Sequence, residues 1–170
     1  DAEIKIFRCA NMYEVYSGYP EIISDIADKK TTEMFLQFTH EKLLKSLGKD
    51  LLKDAEYMFD DEASMGSWTN GFEHIFKEKY GYDIADFMPV VAGGKTAETD
   101  AEKNAKTDYI MLCGELVNDN YFKPMKRWLN AHGMKSVGHL NLDNMSDGFA
   151  QMHYGNMLKL LRSYDIPGID

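Results

Sequence analysis

A chain of 170 residues with a formal charge of −9 can bury one sizeable core, but it is too acidic to seek a phosphate backbone. Nucleic-acid binding needs clustered Lys and Arg to displace counterions, so nucleic-acid partners are excluded. No apolar run approaches the roughly 20 residues of a membrane span, which removes the membrane as a partner. The first residues, Asp1 to Lys5, lack the pattern of a signal peptide, but processing removes such segments and localisation stays open. Cys9 and Cys113 read as two buried thiols and not as a disulfide framework.

Taken in order, Ile4 to Phe7 alternates like a strand and leads into a Tyr-rich stretch. There Tyr13, Tyr16 and Tyr19 suit loop packing, with a sugar-stacking surface as the alternative. A second short strand is expected over 21–25. Asp28 or Thr31 caps a helix over 32–47, in which Met34, Phe35, Phe38, Leu44 and Leu47 follow the helical period and Gly48 is the stop. The apolar run from Tyr57 reads as a strand that ends in three consecutive acids, Asp60, Asp61 and Glu62. A helix over 69–80 follows, with Phe72, Ile75 and Phe76 on one face and Gly81 at its end.

Residues 91–106 are small, polar and charged and read as a surface insertion. A long helix over 108–131 is expected to bend at Pro124, and Trp128 on it suits the core. A strand over 134–140, a helix over 149–162 and a last strand from Ile166 to Asp170 complete the chain. Strand alternates with helix without a hairpin signal, the pattern of βαβ units and a parallel sheet, so the fold class is α/β. The final strand has no helix after it to cover it. Residues 1–170 therefore read as a single α/β segment of something larger.

Acids at the C-terminal mouth of a strand sit where α/β enzymes place their chemistry. On a regular strand Asp60 and Glu62 share one side and Asp61 takes the other. Adjacent like charges raise a carboxyl pKa, as a general acid working near neutrality requires. The competing reading is an acid cluster that caps a helix or solvates a loop. His139 lies in an apolar strand and is followed by Asn141, Asp143 and Asn144, a set suited to binding sugar hydroxyls or orienting water; a buried, satisfied histidine is the alternative. Trp68, six residues after Glu62, offers a ring for a sugar face. No His or Cys spacing suggests zinc, whereas an oxygen-ligand calcium site built from the many acids stays open. Walker, G-x-G-x-x-G and G-x-S-x-G motifs are absent.

Several short motifs come in a familiar order: Phe38-Thr39-His40-Glu41, Met58-Phe59-Asp60-Asp61-Glu62, Trp68-Thr69-Asn70-Gly71-Phe72, Tyr80-Gly81-Tyr82-Asp83, Gly138-His139-Leu140 and Asp165-Ile166-Pro167-Gly168-Ile169-Asp170. From about Gly18 onward the chain resembles the barrel domain of large bacterial glycoside hydrolases of the α-L-rhamnosidase type, glycoside hydrolase family 106 and relatives. The resemblance implies a (β/α)₈ TIM barrel, of which this chain is a partial barrel or segment. It also implies a carbohydrate substrate, with the remaining barrel and accessory domains of a parent chain as partners. It assigns acid function to Asp61 and Glu62 and substrate binding to His139 and Asp170, with Asp143 the nearest match to a loop glutamate of relatives. Ala63 stands where family members often have Pro.

The expected activity is therefore hydrolysis of an O-glycosyl bond by two carboxylates, with Glu62 as the acid. Asp143, Asp170 and Glu115 are in-chain candidates for the second carboxylate, and a residue outside this chain is the further possibility. A non-catalytic carbohydrate-binding barrel and an unrelated metal-dependent barrel enzyme are the alternatives.

Overall fold

The computed structural model describes residues 13–16, 19–22, 25–52, 54–63, 68–141, 143 and 154–169. β1 (Tyr13–Tyr16) and β2 (Tyr19–Ile22) pair antiparallel, Tyr16 opposite Tyr19. The chain therefore contains an antiparallel pair that its turn residues did not announce. The second strand falls at 19–22, earlier than 21–25, and the strand expected over Ile4 to Phe7 lies outside the described residues.

Asp28 caps α1 (Lys29–Phe38), its Oδ1 accepting the Lys30 N–H at 2.9 Å. The helix expected as one piece is two, because Thr39 breaks it. Its hydroxyl donates to the Phe35 carbonyl at 2.5 Å, four residues back, a bond that competes with the helical ladder and bends it. α2 (His40–Leu52) follows, kinked at Gly48, whose φ of 74° is outside the helical region.

β3 (Tyr57–Ala63) carries the three acids. α3 (Phe72–Tyr80) ends on Gly81 at φ 81°, the left-handed cap a glycine adopts without a Cβ penalty. A 3₁₀ turn over Ile84–Phe87 and the short α4 (Met88–Val91) lead into α5 (Asp100–Val117). The segment read as an insertion over 91–106 is thus part loop and part helix. The helix starts at Asp100 because Thr99 and Glu102 form a capping box. A π-helical segment, Asn118–Phe122, joins α5 to α6 (Lys123–Ala131), so the irregularity expected at Pro124 is centred just before it. Pro124 sits in the first turn of α6, where its missing N–H costs nothing. β4 (Lys135–Leu140), α7 (Met157–Leu161) and β5 (Ile166–Pro167) complete the order.

β3, β4 and β5 form one parallel sheet in that order. The expected (β/α)₈ barrel is not found. A barrel needs eight strands closed on themselves, and the described residues form an open three-stranded parallel sheet and a separate antiparallel pair. Alternation of strand and helix specifies parallel crossovers; it carries no information on strand number or closure.

Along β3, Tyr57, Phe59 and Asp61 are exposed while Met58 and Asp60 turn inward. The inward side meets a core of Val117, Tyr121, Phe122, Met125, Leu140 and Tyr164. A second cluster, Phe72, Phe76, Ile84, Leu112 and Cys113, holds α3 against α5. Burial pushes the Cys113 thiol up to about 12, so this group stays protonated and unreactive; Cys9 lies outside the described residues. Trp128 donates to Glu41 at 2.7 Å and stacks on His132, tying α6 to α2. Among the described residues no helix is long and apolar enough to cross a membrane.

The capping box gives the fold a pH signature. Lys95, foremost, and the N–H groups of Thr99 and Glu98 hold the Glu102 carboxyl at about 2, below its ordinary 4.5. A depressed carboxyl contributes stability above the ordinary value and loses it as pH falls toward the folded value. Glu102→Gln should therefore flatten the dependence of the urea midpoint on pH between about 4.5 and 2, leaving less to lose on acidification.

Candidate active site

The acidic strand end is built around a β-bulge. β3 and β4 run in register through Asp60 and Gly138, and pairing resumes at Ala63 and Leu140. Two residues, Asp61 and Glu62, therefore stand opposite the single residue His139, the arrangement that defines a bulge. Glu62 takes φ 48°, the one non-glycine residue with positive φ among those described. A left-handed conformation costs an L-residue roughly 1–2 kcal/mol. The bulge overturns the expectation that Asp60 and Glu62 share a face, because the period-two alternation is interrupted between them.

The three acids consequently have different environments. Asp60 points into the core, where its Oδ1 accepts the Tyr121 hydroxyl at 3.0 Å and its Oδ2 the Tyr164 hydroxyl at 2.9 Å. Burial raises its carboxyl pKa, and the two tyrosine bonds act in the opposite direction. Burial beside that carboxylate also raises both tyrosine pKa values, so the phenols remain donors. Asp61 is exposed, and its Oδ1 lies 3.0 Å from Nε2 of the buried His139. Glu62 is exposed at the end of the bulge.

On the other side of His139, Nδ1 is 3.5 Å from Oδ2 of Asp143, whose side chain is 2% exposed. Asn141 and Asp143 lie beyond the strand, since β4 ends at Leu140. Asp143 reaches His139 by folding back through a turn in which the Leu140 N–H donates to its Oδ2 at 3.3 Å. The result is a row, Asp61–His139–Asp143, beside Glu62. Phe59 flanks it, its ring centroid 5.9 Å from that of His139.

The remaining candidates lie elsewhere. Trp68 packs with Phe72 at 4.7 Å and with Tyr109 at 6.5 Å, in the cluster around α3. Glu115 is held between Lys79 and Lys159. Asp170 and Asn144 are outside the described residues. Among the described residues no group of three or more His, Cys, Asp or Glu converges on a metal position.

Three tyrosines escaped the sequence reading. Tyr121 and Tyr164 hold Asp60, and the Tyr154 hydroxyl donates to the Ala63 carbonyl at 3.1 Å. Burial pushes the Tyr154 phenol up to about 12. These residues sit 58 or more positions from the acids, and only the tertiary fold brings them together. A cavity of about 210 Å³ lies beside Asp60, walled by Phe35, Phe122, Met125 and Leu129, with His40 on its rim. Burial lowers the His40 pKa and keeps its ring neutral.

The class of the protein comes from sequence comparison. Residues 22–167, from the end of β2 to the end of β5, match the model of glycoside hydrolase family 106, described as alpha-L-rhamnosidase. The chain belongs to that family and is a glycosidase domain. Among curated proteins none matches it.

Gly138 marks the tightest approach in the site. A Cβ there would lie 2.4 Å from the Asp60 carbonyl and 3.0 Å from the Tyr164 ring. Gly138→Ala should therefore push β3 away from β4, costing on the order of 1–3 kcal/mol. Chemical denaturation measures the loss, and near-UV circular dichroism of the tyrosines reports the displaced strand.

Proposed function

We propose that this domain cleaves an α-L-rhamnosidic bond, with Glu62 as the general acid that protonates the leaving glycosidic oxygen. The observation that carries the reading is the bulge. It spends backbone strain to turn an exposed carboxyl out of the strand, next to an Asp–His–Asp row. Strain of this kind clusters at functional sites because the surrounding structure has to maintain it. The sugar comes from the family's description, and the acid assignment from the position and exposure of Glu62.

In this scheme Asp61 faces the sugar, and the buried His139 holds its Oδ1 from behind, which leaves the second carboxylate oxygen of Asp61 to meet substrate hydroxyls. Asp143 is too buried to meet a sugar, and its role is to orient His139 from behind. The second carboxylate of a two-carboxylate mechanism must activate water or attack the anomeric carbon. Asp170, three residues after β5 in the sequence and outside the described residues, is the candidate from this chain.

Replacing Glu62 by Gln keeps shape and removes the transferable proton. On an unactivated alkyl α-L-rhamnoside, Glu62→Gln in the full-length protein should lower kcat/KM by roughly 10²–10⁴-fold. A loss within about threefold would remove Glu62 from the acid role.

A further inference from the structure

We infer that Asp60, gripped by Tyr121 and Tyr164, is a positioning residue that sets the direction in which the bulge presents Glu62. The inference rests on the reading of Glu62 as the acid. It adds that the acid's aim is set from the core side of the sheet, through residues that never meet the sugar.

The bulge is two residues long, and both of its ends are held. At its entrance, two hydroxyls from different segments fix the two oxygens of Asp60. Fixing both oxygens defines the plane of the carboxyl and, through the two short torsions that join it to Cα, restricts the orientation of the strand before the irregularity. At its exit, Tyr154 fixes the carbonyl of Ala63, the first residue back in register. Between the two grips the backbone has few conformations left, and the left-handed turn at Glu62 is the one that joins them.

The two tyrosines on Asp60 are also coupled to each other. Tyr121 lies in the π-helical segment, whose Asn118 accepts a hydrogen bond from Ser163 at 2.5 Å, one residue before Tyr164. Phe122 packs edge-on against the Tyr164 ring, with centroids 5.3 Å apart. The π segment and the turn after α7 are therefore joined behind the strand by a hydrogen bond and a ring contact. Two charge-assisted bonds on a carboxylate that burial disfavours also explain why the pair is tyrosine, since phenylalanine would pack as well and leave Asp60 without donors.

Leaving-group dependence tests the inference. An acid matters for an alkyl rhamnoside, whose leaving oxygen needs a proton, and little for a dinitrophenyl rhamnoside, whose leaving group departs without one. Tyr121→Phe and Tyr164→Phe should each lower kcat on the alkyl substrate by about tenfold or more, the scale of a small misplacement of a catalytic group. KM and the rate on the dinitrophenyl substrate should stay within about twofold. Variants that lose thermal stability but keep wild-type rates on both substrates overturn the inference, and so does an equal loss on both.

Glu62→Gln, assayed alongside, reports on the acid by itself. If it is selective for the alkyl substrate and the tyrosine variants are not, the acid reading stands and the positioning role fails. If it shows no selectivity, the acid reading has failed, and the positioning role falls with it. The single variants each keep one donor on Asp60 and the ring packing, so folding does not decide the outcome.

Discussion

A carboxylate in the core with a phenol on each of its oxygens is the constraint from which the site follows. Asp60 is costly to bury, and its charge is tolerated because Tyr121 and Tyr164 donate to it. A hydrogen bond to a charged group contributes roughly 1.5–3 kcal/mol, the same order as the roughly 1–2 kcal/mol needed to hold Glu62 in the left-handed region. The bonds that fix Asp60 are therefore strong enough to hold the strained turn two residues later. Without them the strand end has little reason to prefer this conformation over a regular exit.

The division of labour among the three acids follows from their surroundings. Asp60 is structural because its oxygens are spoken for. Asp61 is solvent-facing but tied to His139, and Glu62 is the carboxyl turned outward by the backbone. Asp143 completes the arrangement from behind, giving the imidazole a carboxylate on both sides.

Much of this was legible in the chain because it depends on local chemistry. The strand ending in acids, the Asp28 cap, the Gly81 stop and the strand through Gly138-His139-Leu140 are short-range signals, and each sits within a few residues of where the sequence put it. The family resemblance also rested on short motifs, and the match over residues 22–167 shows the same family. What the sequence hid is long-range or conformational. A bulge leaves no mark in composition, so Asp60 read as sharing a strand face with Glu62. Its partners lie on elements 61 and 104 residues away. Thr39 divides a helix through a side-chain bond that periodicity does not register. The barrel was carried over from the family resemblance, and the three paired parallel strands among the described residues form an open sheet instead.

The π segment at Asn118–Phe122 gives the site an unusual mutational grammar. A π turn is an α-helix that has accepted one extra residue, so its natural unit of change is an insertion or deletion. Removing a single residue there would let α5 run straight into α6. It would also swing Tyr121 about 100° around the helix axis, the angle each residue occupies at 3.6 per turn. A substitution at Tyr121 alters one hydroxyl, whereas a one-residue deletion nearby would re-aim the whole contact without changing any residue of the site. Within this fold, the spacing of a helix far along the chain is thus part of the specification of the acidic strand end.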